Sequence, residues 1–230
     1  MGYDGKGQIS IYSKNQLIEA YSNLGSTECI LEQIAILQCE VSVIVAKSLF
    51  ETTVYPVTEN IHKNGILDIS IAPARIDHTL AITLQQLAIK IIDNLNYIGV
   101  LTIEFFITDE NKILVNEMAP RPHNSGHHTI ESCITSQFEQ QIRSICNLKL
   151  GNSSIHSPSV MLNILGNIYP DRKTPNWNQI LNKYDNAKLH LYGKDIAKPS
   201  RKMGHITLLG NNLNKLLEQV EEIKVAYMRG

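Results

Sequence analysis

No stretch of this sequence is apolar for long enough to cross a membrane, and its first ten residues, MGYDGKGQIS, lack the apolar core of a signal peptide. There is also no surplus of positive charge, because the chain has 21 Lys and Arg residues and 22 Asp and Glu residues, which gives a net charge of −1. Nucleic-acid-binding proteins usually carry a basic patch or a basic overall charge. We therefore expect a cytoplasmic protein that binds neither membranes nor nucleic acids.

Cysteine is scarce and widely spaced. The four cysteines form no Cys-x-x-Cys pair, and they stand at Cys29, Cys39, Cys133 and Cys146. This spacing favours reduced thiols over a disulfide framework or a zinc site.

The pattern of apolar residues predicts an α+β fold with mostly antiparallel strands. Runs rich in Val, Ile and Thr predict strands at Glu28–Ile34, Glu40–Lys47, Thr52–Pro56, Ile66–Ala72, Val160–Leu165 and Lys188–Tyr192. Helical spacing predicts helices at His78–Tyr97, Ser136–Cys146, Trp177–Lys183 and Asn212–Tyr227, the second with a buried face of Phe138, Ile142 and Ile145. A Ser/Gly/Pro-rich connector after Leu150 divides residues 1–150 from a small C-terminal α+β unit at 151–230.

The segment TIEFFITDENKILVNE predicts a β-hairpin whose turn is centred between Glu110 and Asn111. In that register Glu104 lies directly opposite Glu117, with Cβ atoms roughly 5 Å apart on one face of the sheet. Like charges so placed are destabilising, but a divalent cation reverses the effect, and paired carboxylates suit Mg²⁺ that carries substrate phosphates. A shift of one residue would place the two carboxylates on opposite faces.

A loop dense in hydrogen-bond donors follows the hairpin. It is NEMAPRPHNSGHH, and it contains Arg121, His123, Asn124, Ser125, His127 and His128. Such a loop on a rigid scaffold is typical of a binding site, and a solvated turn with a few buried histidines is an equally weighted alternative. A mononuclear metal site on His123 and His127 is a third hypothesis, although their spacing suits a metal only on a helix, which Pro122 and Gly126 disfavour.

Two further segments suit phosphate binding. GYDGKGQ is not a Walker A loop, because G-x-x-x-x-G-K-[ST] is absent, but its glycines let backbone amides approach phosphate oxygens. YGKDIAKPSRKMGH, residues 192–205, gathers five basic residues in a segment broken by glycine and proline. The alternatives are a disordered tail for the first segment and a solvated surface loop for the second.

Six segments, in this order, resemble a known family: GYDGKGQ, LEQIAILQCEVSVIVA, YPVTENIHKNGIL, YIGVLTIEFF, NEMAPRPHNSGHHTIESCITSQFEQ and YGK…RKMGH. They resemble the ATP-grasp family, and within it the 5-(carboxyamino)imidazole ribonucleotide synthases of purine biosynthesis. The resemblance extends from the first residues nearly to the last. It implies a partial ATP-grasp domain at 1–150, with a mostly antiparallel sheet and flanking helices, and a small C-terminal α+β domain at 151–230.

The resemblance assigns residues to ATP and Mg²⁺. The implied ATP-binding residues are Gly2, Tyr3, Asp4, Gly5, Lys6, Gly7 and Gln8 over the phosphates, Glu32, Gln33, Ile34 and Ala35 beside the adenine, Glu40 at the ribose, and His62, Asn116 and Glu117. The implied magnesium ligands are Glu104 and Glu117, in agreement with the hairpin argument. Because adjacent strand residues point to opposite faces, Asn116 and Glu117 serve one site only at a strand end or a bulge.

The second implied ligand is aminoimidazole ribonucleotide. The resemblance assigns it Arg121, His123, Asn124, Lys194, Arg201 and Lys202, with Arg121 and Lys202 as catalytic residues. The implied reaction is its ATP- and Mg²⁺-dependent carboxylation with bicarbonate, through carboxyphosphate. In the family an N-terminal domain precedes the glycine-rich loop, so we expect a separate chain that carries this domain, and a homodimer. The alternative is a non-catalytic nucleotide-binding remnant, or one half of a split enzyme.

Overall fold

A computed structural model describes residues 7–169 and 175–228, with the backbone alone for 227 and 228. In these residues nine strands form one sheet, and each of its pairings is antiparallel. The strands are β1 (Leu37–Lys47), β2 (Thr52–Val54), β3 (Thr58–Lys63), β4 (Ile66–Ala72), β5 (Gly99–Thr108), β6 (Ile113–Ala119), β7 (Ser159–Leu165), β8 (Ala187–Leu191) and β9 (Lys202–Leu209). The α-helices are α1 (Leu17–Asn23), α2 (His78–Asn94), α3 (Thr129–Ser132), α4 (Gln137–Ile145), α5 (Trp177–Lys183) and α6 (Leu213–Met228).

The order of strands in the sheet is β6-β5-β1-β3-β4-β7-β9-β8, with β2 paired to the end of β1. The predicted α+β class, a mostly antiparallel sheet with flanking helices, is confirmed. Because β4 pairs with β7, the sheet continues across residue 150 without a break. The division into units at 1–150 and 151–230 stays a prediction.

Strand β1 is buried on both of its faces. Its valines pack with α2 and β5 in one apolar cluster, while Ile44 and Ala46 pack on the other side with Tyr55. Helix α2 begins at the N-cap Asp77, whose carboxylate accepts hydrogen bonds from the backbone N–H groups of Thr79 and Leu80. The residues that α2 buries against the sheet are Leu84, Ala88 and Ile92.

A second apolar cluster lies between the sheet and α6. Strands β4, β7 and β9 supply one side of it, and α6 supplies the other through Leu216, Val220 and Ile223. This cluster draws on residues from both sides of position 150. It therefore holds β8 and β9, which carry the basic segment, firmly to the rest of the sheet.

One predicted strand is absent from the structure, and two observed strands were not predicted. The segment Glu28–Ile34 forms no strand, and Ile30 and Leu31 are 84% and 70% exposed, because no sheet edge pairs with it. Strand β3 was missed because TENIHK is polar and is held as a strand by its neighbours β1 and β4. Strand β9 was also missed, since its first half lies in the basic segment that suggested a loop.

The predicted helices are present with bounds close to those expected, and Ser136 caps α4 by accepting a hydrogen bond from the Glu139 N–H. The buried face predicted for α4 was wrong. Phe138, Ile142 and Ile145 are 40%, 55% and 54% exposed. The helix instead buries the polar side chains of Gln137, Gln140 and Ser144.

We expect Leu84→Ala to lower the free energy of unfolding by about 2–5 kcal/mol, because it leaves a cavity between α2 and the sheet. Leu84 is fully buried. Ile82→Ala on the same helix is the matched control, since Ile82 is 39% exposed and its truncation should cost less than about 1 kcal/mol. Urea unfolding measures both, and equal losses for the two variants would contradict the packing described for α2.

Candidate metal and anion site

The hairpin of β5 and β6 places Glu104 directly opposite Glu117, as predicted. The position of the turn and the pairing of the strands, however, differ from those predicted. Phe106 pairs with Leu114, so the turn is centred on Glu110 rather than after it. The register then shifts by one residue between Glu104 and Phe105, and this bulge in β6 restores the opposition of the two carboxylates.

The extra residue of the bulge is Asn116, since Glu104 pairs with Glu117 and Phe105 with Val115. A bulge turns two consecutive side chains toward one partner. The Asn116 side chain accordingly lies close enough to Glu104 to act on its carboxyl group and oppose the rise in its pKa. The expectation that Asn116 and Glu117 share a site only at a bulge or a strand end is therefore met by a bulge.

The surroundings of Glu104 destabilise its ionised form. Its pKa is raised by burial first and by the neighbouring carboxylate of Glu117 second, while His62 acts in the opposite direction. Ligand atoms of Glu104, Glu117 and His123 lie within 4.8 Å of one another. Hard carboxylate oxygens in a pair, one of them destabilised by burial, fit a divalent cation such as Mg²⁺.

His62 and Glu40 form an ion pair beside these carboxylates. His62 Nδ1 lies 2.9 Å from Glu40 Oε2. Burial lowers the pKa of His62, but the contact with Glu40 outweighs it and the net pKa is raised. Glu104 and Lys202 also act on the His62 charge, so the structure brings Glu40 and His62 near the carboxylate pair.

The loop after β6 is held in place by Gln137 at the start of α4. The Gln137 side chain accepts a hydrogen bond from the His123 N–H at 2.9 Å and donates one to the His123 carbonyl oxygen at 2.7 Å. Ser42 of β1 donates to Ser125 at 2.8 Å. These contacts direct His123 Nε2 toward Glu104, with 3.7 Å between Nε2 and Oε1.

Two buried side chains of this loop suit an uncharged polar ligand. The pKa of His123 is lowered to about 3 by burial, and then by the nearby cations Arg121 and Lys202, so the imidazole is neutral near pH 7. Both polar atoms of the Asn124 side chain are buried, with no hydrogen-bond partner among the described residues. Buried amides are rarely left unpaired, so Asn124 is suited to hydrogen-bond a ligand.

The basic residues gather at the ends of β8 and β9. Lys194 Nζ donates to the Lys202 carbonyl oxygen at 2.5 Å, and its pKa is lowered by burial and by Arg201 and Lys202. Arg201 donates to the Ile196 carbonyl oxygen at 2.9 Å. Lys202 also lowers the pKa of His123, which places a cation beside the carboxylate site. Arg121 is exposed and lies close enough to act on His123 in the same way.

The structure leaves part of the predicted ATP site apart from these groups. Gly7, Gln8, Glu32, Gln33 and Ile34 are exposed, and Ala35 is half-buried. Among the described contacts, no hydrogen bond or ion pair joins them to the carboxylates. Residues 2–6, predicted to contact the phosphates as Gly2, Tyr3, Asp4, Gly5 and Lys6, lie outside the described residues.

A histidine cluster between α3 and β8–β9 was missed from the sequence. His190 Nε2 lies 2.5 Å from Glu131 Oε1, and the His190 ring stacks on His205 with 4.5 Å between centroids and 11° between planes. The lone pairs of two stacked rings lie in nearly parallel planes, which disfavours their convergence on one ion. Ligand atoms of a tetrahedral zinc site also lie roughly 3.3 Å apart. The cluster is therefore better described as a hydrogen-bonded pair, Glu131 and His190, with the His190 ring stacked on the neutral ring of His205.

The metal hypothesis for His123 and His127 finds no support among the described side chains. Neither group of three that could share an ion contains both residues. His127 instead packs against the rings of Phe138 and His205, with centroids 5.4 and 5.1 Å away. Its pKa is lowered to about 4, chiefly by burial.

Comparison with known proteins places this arrangement in a family. The ATP-grasp domain model matches residues 1–138, which is more than half of the chain. This chain belongs to the ATP-grasp family. A second model, the C-terminal domain of phosphoribosylaminoimidazole carboxylase, matches residues 159–219. No described helix of this ATP-grasp chain is both long and apolar enough to span a membrane.

The chain is similar to several N5-carboxyaminoimidazole ribonucleotide synthases. The chain is 43% identical over 220 residues to N5-carboxyaminoimidazole ribonucleotide synthase of Bacillus subtilis, covering 95% of this chain and 57% of that protein. An N5-carboxyaminoimidazole ribonucleotide synthetase solved with ADP matches with a TM-score of 0.90 and 45% identity over 98% of this chain and 59% of that one. The Aspergillus clavatus synthase solved with ADP and 5-aminoimidazole ribonucleotide matches with a TM-score of 0.83 and 33% identity, covering 93% and 58%. The ATP-grasp chain therefore spans less than two thirds of the length of these relatives.

We expect Glu104→Gln to raise the free energy of unfolding in the absence of Mg²⁺ by about 1 kcal/mol, the Coulomb energy of two unit charges near 5 Å in water. The change removes a buried charge whose cost shows in the raised pKa of Glu104. The same change should abolish any stabilisation by added Mg²⁺. Urea unfolding with and without Mg²⁺ measures both effects, and a variant that Mg²⁺ stabilises as much as the wild type would contradict the assignment.

A second prediction concerns His128, which is 2% exposed and is hydrogen-bonded to Thr58 Oγ1 at 3.1 Å and Ser132 Oγ at 2.8 Å. Burial lowers its pKa to about 3. As the pH falls below about 6.5, the unfolded chain gains a proton that the folded protein does not, so stability is lost. Between pH 6.5 and pH 5 one such histidine should cost about 2 kcal/mol.

The expected result for His128→Phe is a loss of stability between pH 6.5 and pH 5 that is smaller than the wild-type loss by about 2 kcal/mol. His156→Phe is the control, because His156 is exposed and its replacement should leave the pH dependence unchanged. Urea unfolding at pH 6.5 and at pH 5 gives the loss of stability between the two pH values for each protein. Equal losses of stability for wild type and His128→Phe would show that His128 does not stay neutral in the folded protein.

Proposed function

We propose that this chain supplies the metal and substrate groups of an enzyme that carboxylates aminoimidazole ribonucleotide with ATP, Mg²⁺ and bicarbonate. The observation that carries the proposal is the opposed pair Glu104 and Glu117, set by the Asn116 bulge, with His123 3.7 Å from Glu104. A divalent-cation site next to the uncharged side chains of His123 and Asn124 and a group of cations suits a nucleotide reaction with a second, anionic substrate.

In the proposed reaction the terminal phosphoryl group of ATP passes to bicarbonate and gives carboxyphosphate and ADP. The exocyclic amine of the ribonucleotide then attacks the carboxyl carbon, phosphate leaves, and the product is 5-carboxyaminoimidazole ribonucleotide, an intermediate of purine biosynthesis. Phosphoryl transfer of this kind depends on positioning and charge neutralisation more than on covalent catalysis. Mg²⁺ held by Glu104 and Glu117 would supply Lewis-acid stabilisation of the phosphates.

The remaining candidate residues fall into a cationic group and an uncharged group, which have different proposed roles. Lys194, Arg201 and Lys202 are suited to the phosphate of the ribonucleotide, and Arg121 and Lys202 to the charge that develops during carboxylation. With a pKa lowered to about 3, His123 serves as a neutral hydrogen-bond partner of the substrate rather than as a base at pH 7. Asn124 would pair its buried amide with the same ligand.

The names of the relatives support this assignment. Both of the solved structures compared above contain ADP, and the Aspergillus clavatus synthase also contains 5-aminoimidazole ribonucleotide. We propose the same ligands for this chain, a cytoplasmic location, and pairing as a homodimer. A second candidate function is nucleotide binding without turnover. It is favoured by the lack of any hydrogen bond or ion pair, among the described residues, between the predicted adenine segment at 32–35 and the carboxylates.

We expect the purified chain, given Mg²⁺-ATP and bicarbonate, to release ADP faster when aminoimidazole ribonucleotide is added. Glu117→Gln should lower this turnover by at least roughly ten-fold, since Mg²⁺ contributes several kcal/mol to charge stabilisation. Glu110→Gln is the matched control, because Glu110 lies exposed in the turn of the same hairpin. A coupled ADP assay and product mass spectrometry give the result.

The outcomes separate the two candidate functions. Tight Mg²⁺-ATP binding with no ADP release from the folded chain would support the binding module and contradict the ligase. Full activity of Glu117→Gln would contradict the metal assignment. Far-UV circular dichroism shows whether either variant has changed the fold.

A further inference from the structure

The two ring nitrogens of His123 have different surroundings. Nδ1 lies 3.0 Å from Ser125 Oγ and 3.4 Å from the Ser125 backbone nitrogen. Nε2 faces Glu104, and the 3.7 Å between Nε2 and Oε1 is too long for a hydrogen bond. A neutral imidazole carries one hydrogen, which makes one nitrogen a donor and the other an acceptor or a metal ligand. The position of that hydrogen therefore decides what His123 can bind.

The backbone N–H of Ser125 indicates which nitrogen is the acceptor. This N–H is directed at His123 Nδ1, and a backbone N–H donates a hydrogen bond but cannot accept one. A hydrogen on Nδ1 would set two donors against each other. Nδ1 is therefore the acceptor, and the hydrogen of the ring lies on Nε2. The same contact disfavours the imidazolium form, which carries a hydrogen on both nitrogens.

A chain of two buried hydroxyls acts in the same direction. Ser42 Oγ donates a hydrogen bond to Ser125 Oγ at 2.8 Å, and both side chains are fully buried. Because Ser125 Oγ accepts that hydrogen, its own hydrogen is available to Nδ1 of His123, 3.0 Å away. Ser42 lies on β1, where it pairs with Thr58 of β3 on one side and with Glu104 of β5 on the other. A strand fixed by both neighbours thus orients the hydroxyl chain.

The charge of Glu104 also attracts a hydrogen to Nε2, but only while no cation is bound. A negative carboxylate 3.7 Å from Nε2 favours a hydrogen on that nitrogen. A divalent cation on Glu104 and Glu117 would cancel this attraction. It would also lie near His123, since ligand atoms of these three residues are within 4.8 Å of one another. In that state the contacts at Nδ1 alone keep the hydrogen on Nε2 and prevent the ring from binding the metal.

We infer that Ser42 and Ser125 are positioning residues that hold His123 in its Nε2–H form, so that it donates a hydrogen bond to an oxygen of the bound substrate and does not ligate the metal. A cation left with carboxylate oxygens alone suits Mg²⁺ rather than a metal that prefers imidazole nitrogen. The inference rests on the proposed function for the identity of the metal and the substrate. The position of the hydrogen is a property of the free chain and is measured without either.

Nuclear magnetic resonance of the full chain with ¹⁵N-labelled histidine tests the inference near pH 7. A ring nitrogen without a hydrogen resonates far downfield of one that carries a hydrogen, so the spectrum gives the form of each ring. The signals missing from His123→Gln assign those of His123. We expect a bare Nδ1 and a protonated Nε2, both in the free chain and with saturating Mg²⁺. A hydrogen on Nδ1 in the free chain, or its loss from Nε2 when Mg²⁺ binds, would overturn the inference.

Two alanine variants test the role of the hydroxyls. Ser125→Ala removes the contact at 3.0 Å, and Ser42→Ala frees the Ser125 hydroxyl to accept a hydrogen from Nδ1. In both variants the His123 Nδ1 signal should move upfield, toward that of a protonated nitrogen, because both forms of the ring become populated. The comparison is made with Mg²⁺ and also in the Glu104→Gln background, where the carboxylate charge is absent without any metal. An unmoved Nδ1 signal in both variants would overturn the positioning role.

Ser144→Ala is the matched control. Ser144 is 1% exposed, and its hydroxyl donates to the Gln140 carbonyl oxygen at 2.8 Å within α4. Its replacement should leave the His123 signals in place, and an equal shift would show a general loosening of the fold and contradict the inference. The His127 ring is an internal reference, because its Nδ1 contacts Gln137 Nε2 rather than a serine. If Mg²⁺ does not bind, the proposed metal site fails, while the metal-free spectra still decide the form of His123.

Discussion

The pairing of β1 with β5 determines where the groups of the candidate site lie. The two strands pair from Leu37 opposite Thr108 to Lys47 opposite Gly99, and Ser42 stands opposite Glu104. Because alternate residues share a face, Glu40 and Glu104 lie on one side of the sheet, while the valines of β1 pack with α2 on the other. A slip of one residue would move the valines to the polar face of the sheet and the carboxylates to the face packed against α2. The apolar core therefore holds the polar site in register.

Charge is distributed unevenly around that face. Carboxylates lie at the hairpin and cations at the ends of β8 and β9, and the buried imidazoles between them are neutral because their pKa values are lowered by burial. A protonated His123 beside Glu104 would neutralise the carboxylate internally and compete with a metal ion. The neutral ring leaves the Glu104 charge available to a divalent cation, and Asn116 favours the charged form of that carboxyl by acting to lower its pKa.

The sequence supports correct predictions where a local pattern has one physical outcome. The fold class, the bounds of α4 with its Ser136 cap and the opposition of Glu104 and Glu117 follow from such patterns, although the turn and the bulge shifted the hairpin register by compensating amounts. Periodicity located the apolar face of α4 but could not show that its glutamines bond the backbone of distant loops. The contact between Glu131 and His190 joins residues 59 positions apart, which no local motif indicates.

The bulge at Asn116 has a consequence for the whole molecule. Strand β6 ends the order of strands at one side of the described sheet, and Leu114, Val115 and Met118 on it are 40% to 53% exposed. A flat, apolar edge strand would invite another chain to add to it and start aggregation. The extra residue distorts the edge, and the charge of Glu117 disfavours a close neighbour. The same local irregularity that brings the metal ligands together thus protects the sheet against edge-to-edge assembly.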